Sequence, residues 1–321
     1  MIKYTIKRIL QMIFVILVVS IVVFVLSSFT GDPVFMILPP DAPQSEVEAV
    51  RIRLGLDQPI YEQYRRFVVN MLKGDFGISY VFNRPALDLI LERAPATLEM
   101  VFISVLMTIV FAIPLGIYAG ANPNTKLSKA IMTGSLVGIS LPSFWVGMML
   151  IYIFAVKLGW FPATSRGETI KVFGVAWSLF TLDGLRHLIL PSFTLALGQL
   201  AMLLRLTRAS IQENMKQDYV KYARAKGVTV RDVLFGHAFK NALIPIVTVF
   251  GINIGELIAF TTITETIFSW PGMGKLLLDS INLSDRPVIV VYLMVVSVMF
   301  VVINFLVDMI YLLIDPRIEL R

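Results

Sequence analysis

The chain has 321 residues, 57% of them hydrophobic and 16% charged, with a net charge of +6 and a mean hydropathy of +0.78. Its repeated apolar runs, each about twenty residues long, match the roughly 30 Å hydrocarbon core of a bilayer, so it reads as an all-α integral membrane protein rather than one or two soluble domains. The absence of cysteine excludes thiol catalysis, thiolate metal ligation and disulfides. With no nucleic-acid reader motif, the basic excess points to membrane orientation.

Six apolar runs are predicted as transmembrane helices: Ile9–Phe29, Thr97–Gly120, Ile131–Val156, Leu188–Leu204, Ala242–Thr264 and Val288–Ile314. The first follows Lys3, Lys7 and Arg8 but is long and lacks a small-residue cleavage site, which predicts an uncleaved anchor. The expected organisation is residues 1–29 as a cytoplasmic end plus first span, 30–96 as a helical insertion outside the membrane, and 97–321 as a core of five spans. Within the insertion, Ser45 and Glu48 form a capping-box pattern. Ile60, Tyr64, Phe67, Val68 and Met71 recur at helical spacing until Gly74. Two short amphipathic helices are predicted there, for partner docking or plain packing. Small residues four apart, at Ala112, Gly116 and Gly120, at Gly134 and Gly138, and at Gly251 and Gly255, predict close helix contacts.

A cytoplasmic N-terminus places 15 of the 28 Lys and Arg on the shorter, cytoplasmic set of segments, as the positive-inside rule expects. The connection 205–241 then lies in the cytoplasm, with eight cations against three acids. There Thr229 and Asp232 form a capping-box pattern, and Val220, Ala223 and Gly227 a small-residue face ringed by Lys221, Arg224 and Lys226. This describes a protein-docking surface, with a solvated loop or one lying on anionic headgroups as the plainer reading. Phe235 and Phe239, one turn apart, argue against simple solvation.

No ATP-binding loop is present, because Gly274–Lys275 is preceded by Ser269 where a glycine is required and followed by Leu276. His187 and His237, the two histidines, are far apart in sequence and fit no metal motif. Ionisable and polar groups within lipid tend to face a bundle interior or an aqueous path. Glu256 is the leading pathway candidate, with a structural hydrogen-bonding role as its alternative; Asn253, Gln199 and Ser140 could join it, but for these three the structural role is the leading reading. An ion- or proton-coupled secondary transporter should carry inverted repeats and interrupted spans; no repeat is evident, and Pro114 and Pro142 are the midspan breakers.

The stretches "ARAKG" (223–227) and "HAFKNALIP" (237–245) resemble the cytoplasmic loop of binding-protein-dependent ABC transporter permeases, and more narrowly the first permease of the dipeptide, oligopeptide and nickel importers. The likeness continues through "TGDP" (30–33), "LGLDQPIYEQY" (54–64), "GDFGIS" (74–79), "ERAPATLE" (92–99), "SLPSFWVG" (140–147), "LGWFPA" (158–163), "TETIFSWPGMG" (264–274) and "DPRI" (315–318). Ala223 and Gly227 fall on the second Ala and the Gly of that family's Glu-Ala-Ala signature. Lys221 and Tyr222 replace its Glu and first Ala, and Lys240 stands where a proline is usual; these departures are similar to the peptide-type branch.

The resemblance implies a type I ABC importer permease fold and a non-catalytic subunit of a multi-pass prokaryotic plasma-membrane (inner-membrane) assembly, with both termini cytoplasmic. It implies a homologous second permease, two cytoplasmic ATPases that carry the ATP and Mg²⁺, an external substrate-binding protein for peptides, nickel or other small solutes, and no cofactor or metal in this chain. It further implies a coupling helix over 219–232, in which Tyr219, Val220, Ala223, Arg224, Ala225, Lys226, Gly227, Val228, Arg231 and Asp232 meet the ATPase, and alternating access as a rigid-body change.

Overall fold

The computed structural model describes residues 2–29, 34, 38, 39 and 41–314. The "TGDP" and "DPRI" stretches and the C-terminal tail lie outside the described residues. The chain divides into two compact units, Met1–Pro95 with Gly272–Val302, and Ala96–Pro271 with Ile303–Arg321.

In the first unit, α1 (Ile2–Phe29) is the N-terminal apolar helix. Two short helices follow, α2 (Gln44–Leu54) and α3 (Ile60–Leu72). The expected Ser45–Glu48 capping box does not form. Pro43, at φ −56° and ψ 143°, is the N-cap, and no side chain caps the helix; the proline's fixed φ supplies the entry geometry and puts Ser45 inside the first turn. Gly55 ends α2 in the left-handed region, its N–H bonded to the carbonyls of Arg51 and Ile52. Of the stripe predicted for α3, Phe67 and Met71 pack against a core of Val23, Val290 and Met294, whereas Ile60, at its start, is exposed. Phe24 of α1 meets the Tyr64 ring edge-on at 5.4 Å.

Helix α4 (Ala86–Ala121) begins well before the predicted Thr97. Its first turns bury Ala86, Leu89 and Ile90 against Met273 and Leu276, and against Val288, Val291 and Tyr292. Met273 and Leu276 belong to the short helix Met273–Asn282, and the valines and tyrosine to Arg286–Ile314, the last long helix.

The second unit departs from the sequence reading in three places. The run predicted as one span, 131–156, is a bent pair: α5 (Lys126–Ser140) and α6 (Ser143–Leu150), which continues as a π-helix over Ile151–Lys157, with 107° between the two halves. The break falls at Pro142, where the residue before the proline is disfavoured in the α region; Leu141 sits at φ −91° and ψ 134°. Next comes a β-hairpin in a chain expected to be all-α. Strands β1 (Ile170–Val172) and β2 (Val175–Trp177) pair antiparallel. Phe173 and Gly174, at φ 51° and 80°, form the turn, since tight hairpins need positive φ at both central residues. Third, α7 (Leu182–Asn214) outruns its predicted span at both ends, so the start of the basic connection is helical.

Beyond α7 lie α8 (Asp218–Ala225), α9 (Val230–Val233) and a π-turn, Leu234–Ala238. Helix α10 (Phe239–Ile267) follows, and the chain closes with α11 (Met273–Asn282) and α12 (Arg286–Ile314). Among the described residues, five helices are long and apolar enough to cross a membrane, or six if the bent pair counts as one span.

The small-residue pattern explains how α4 meets α7. A Cβ on Gly116 would lie 2.6 Å from Thr207 Cβ and 2.9 Å from the Leu204 carbonyl, and one on Gly120 would lie 2.8 Å from Ile211 Cβ. Only glycine permits this approach, and it seats Ala112 and Ile117 against Leu203, Leu204, Ile211, Ile246 and Phe250. Gly251 is likewise closed off by Val307, whereas Gly134 faces open space.

Candidate functional site

Between α7 and α10 the basic connection is ordered by local chemistry. At the start of α8, Lys221 donates to Asp218 at 2.8 Å, and this hydrogen bond holds the Asp218 carboxyl below its ordinary range. Tyr219 donates its hydroxyl to Asn214 at 2.9 Å, and Lys226 lies 4.5 Å from the centre of the Tyr222 ring. The helix then stops. Gly227 is at φ 82°, its N–H bonds the Arg224 carbonyl, and the Val228 N–H bonds the Ala223 carbonyl. These two bonds and the left-handed glycine are a Schellman C-cap.

The coupling helix over 219–232 that the resemblance implied is therefore two short helices with a glycine corner between them. Thr229 caps the second as predicted, accepting from the Asp232 N–H at 3.2 Å and donating its hydroxyl to the Asp232 carboxylate at 2.6 Å. Val220 and Val233 are buried and anchor the corner. Val220, expected on the docking face, is thus turned inward, and Ala223 is half-buried. Tyr219, Arg224, Ala225, Lys226, Gly227, Val228, Arg231 and Asp232 are exposed. The result is a rigid basic knuckle of small and cationic residues. Phe235 is exposed beside it, its ring 6.4 Å from that of Phe239.

The polar residues singled out inside the spans do not assemble into one cluster. Among the described residues, no hydrogen bond joins Ser140, Gln199, Asn253 and Glu256. Ser140 donates to the Leu136 carbonyl at 2.9 Å and Asn253 to the Val249 carbonyl at 2.6 Å, each satisfied within its own helix. Gln199 is half-buried, and Glu256 is exposed on α10. A carboxylate on an exposed face of an apolar helix requires a polar path or a partner surface, because lipid would penalise its charge.

Among the described residues, three buried carboxylates, Glu99, Glu265 and Asp285, escaped the sequence reading. Glu99 on α4 is fully buried and takes four donors: Arg166 Nε at 3.1 Å, Arg166 Nη2 at 2.9 Å, the Ser178 N–H at 2.6 Å and the Ser178 hydroxyl at 2.5 Å. Arg166 Nη2 also donates to the Ala176 carbonyl at 2.6 Å, so one carboxylate clamps the β-hairpin and its flanks onto α4. Glu265, near the end of α10, is also fully buried and accepts from the Thr97 hydroxyl at 2.7 Å. Next to it the Trp270 indole donates to the Ala96 carbonyl at 2.9 Å. The signal available in the sequence was Glu99 inside "ERAPATLE", but its partners lie far along the chain and no spacing rule links them. These groups are hydrogen-bond anchors rather than chemistry on a substrate.

Among the described residues no group of three His, Cys, Asp or Glu could hold a metal ion. His187 instead lies 2.8 Å from the Asp183 carbonyl through Nδ1.

Comparison with known proteins agrees with this architecture. The family described as binding-protein-dependent transport system inner membrane component matches residues 112–320, and the N-terminal part of that type of membrane component matches residues 1–101. The chain is 38% identical over 321 residues to the oligopeptide transport system permease protein AppB of Bacillus subtilis, covering 99% of this chain and 100% of that one. It is 38% identical over 322 residues to the glutathione transport system permease protein GsiC of Escherichia coli K12, covering 100% of both. In fold it is similar to the inward-facing MetNI methionine ABC transporter, with TM-scores of 0.55 and 0.56 in two crystal forms, at 17% and 16% identity, over 71% of this chain and 96% of that one.

Proposed function

Since the chain belongs to the binding-protein-dependent transport system inner membrane components, we propose that it imports short peptides or peptide-like solutes as one of two permease halves. It is a permease subunit of an ABC importer, and the ATPase activity of such transporters lies in separate subunits. This family membership does not favour the ion- or proton-coupled alternative. The peptide assignment rests on the names of the two relatives, one for oligopeptides and one for glutathione, itself a tripeptide. A homologous second permease completes the pathway, two ATPases holding ATP and Mg²⁺ dock in the cytoplasm, and a substrate-binding protein delivers solute from outside. The chain sits in the prokaryotic plasma membrane with both ends cytoplasmic, the arrangement favoured by the density of basic residues.

The observation that carries the coupling role is the knuckle at Gly227: a structured, exposed basic corner on a connection between two long apolar helices. Buried valines and a Schellman cap hold it rigid, so force applied there passes into α7 and α10 as a body rather than being lost in a flexible loop. Glu256, exposed on α10, supplies a polar group for the pathway and faces the second permease.

Reconstitution in proteoliposomes tests the proposal. The purified chain should neither hydrolyse ATP nor accumulate peptide, and accumulation should appear only when second permease, ATPases and binding protein are all present. ATP-independent peptide accumulation driven by an ion gradient would overturn it.

A further inference from the structure

We propose that the first unit carries a binding site for the zwitterion of a short peptide, with the terminal carboxylate held by Arg53 and the terminal ammonium by Asp75; this ligand class rests on the peptide import proposed for the chain. The site is a cavity of about 620 Å³, within the roughly 300–1,000 Å³ of sites that hold small molecules. Arg53, from the last turn of α2, and Asp75, from the segment that joins α3 to α4, both line it. Among the described residues no ion pair joins these two side chains, and neither pairs with another charged group. Asp75 uses one carboxylate oxygen, Oδ1, to accept the Gly77 N–H at 3.0 Å. Its other oxygen is left for a ligand.

The wall that carries Asp75 is held in place by the buried Asp285 carboxylate. Asp285 accepts from the Ser79 hydroxyl and from the Tyr80 N–H at 3.1 Å. Ser79 in turn accepts the Phe82 N–H at 2.9 Å, and its own N–H donates to the Arg84 carbonyl at 2.9 Å. A wall fixed in this way lowers the ordering cost of binding. Charge then selects the ligand. An anion drawn to Arg53 would be repelled by Asp75 in the same cavity, and a cation drawn to Asp75 would be repelled by Arg53, whereas a molecule carrying both charges satisfies both. A guanidinium takes a carboxylate through paired charge-assisted hydrogen bonds. Two or three residues, extended at up to about 3.6 Å each, reach about 7–11 Å from end to end, a length that a cavity of this volume accommodates. Leu54, Phe76, Ile78 and Pro287 offer apolar wall to the side chains of such a peptide, and Ile78 is exposed in the free chain.

Equilibrium dialysis of radiolabelled alanyl-phenylalanine against the full chain in lipid nanodiscs, with no ATPase or binding protein present, tests the site apart from transport. Import by the reconstituted complex without this binding removes the site alone, and binding without peptide import removes the import reading alone. The wild type should bind the dipeptide saturably, and N-acetylation or C-amidation should each weaken it by about tenfold, since each removes one charge-assisted contact. Arg53→Gln should bind the free acid about tenfold more weakly and no longer distinguish acid from amide. Asp75→Asn keeps an oxygen for the Gly77 N–H and should lose the distinction between free and acetylated amine. Arg65→Gln, outside the cavity and paired with Glu62, should bind as wild type. Absence of saturable binding, wild-type binding indifferent to the peptide's termini, or an Arg53→Gln or Asp75→Asn protein that discriminates as the wild type does would overturn the proposal.

Discussion

Gly227 shows how much one residue's backbone decides. Its φ of 82° is a region that an L-residue enters at a cost of roughly 1–2 kcal/mol, while a Cβ there would meet nothing within 4 Å. The demand of the free chain is therefore conformational rather than steric. Gly227→Ala should unsettle the corner and weaken ATPase association by about tenfold, whereas Gly227→Asn, which tolerates the left-handed region, should recover most of the binding. Equilibrium binding of the ATPase to the inserted permease checks this. Equal, wild-type affinity for the two variants would show that the corner's shape does not matter. Lys216, just outside α8 and exposed, is the control: Lys216→Ala should change little, because an exposed charge contributes roughly 0–1 kcal/mol.

Among the elements, the β-hairpin has least reason to hold its position by itself. Each strand is three residues long, and a lone two-stranded hairpin is marginal in water. Its placement comes from Glu99, whose buried carboxylate gathers Arg166 and Ser178. Glu99→Ala leaves Arg166 as an uncompensated, largely buried cation and should cost about 3–5 kcal/mol. The paired Glu99→Met/Arg166→Met change should recover much of that loss, because replacing both charges removes the desolvation penalty along with the attraction. Unfolding midpoints in detergent read this cycle. A Glu99→Ala protein as stable as wild type would remove the clamp from the account. The bent pair α5–α6 shows a local bias at work, since Pro142 disfavours a helical Leu141, but Pro191 and Pro245 lie inside continuous helices, so the surroundings decide whether such a bias becomes a break.

For the molecule as a whole, orientation is the property that decides where each surface works. The absence of cysteine makes this directly measurable. Single cysteines at Ser45 in α2 and at Thr229, the N-cap of α9, should be labelled by a membrane-impermeant maleimide from opposite faces, Ser45 from outside. Labelling of both from one side would reverse the argument from basic density and move the knuckle away from the ATPases.

By itself the sequence determined the approximate place of the apolar spans, most of the amphipathic stripe of α3, the Thr229 cap and a close helix contact at Gly116 and Gly120. Each is a periodicity, a capping pair or a small-residue spacing within one stretch of chain, and such signals act over a few residues. The absence of a phosphate-binding loop was legible in the same way. Tertiary structure alone decided that Glu99 would meet Arg166 and Ser178, that Glu265 would meet Thr97, that Val220 would turn inward and that Arg53 and Asp75 would line one cavity. Those partners are separated by tens to hundreds of positions, and a buried charge finds its counter-ion only once packing has fixed which helices are neighbours and removed the water that would otherwise have solvated it.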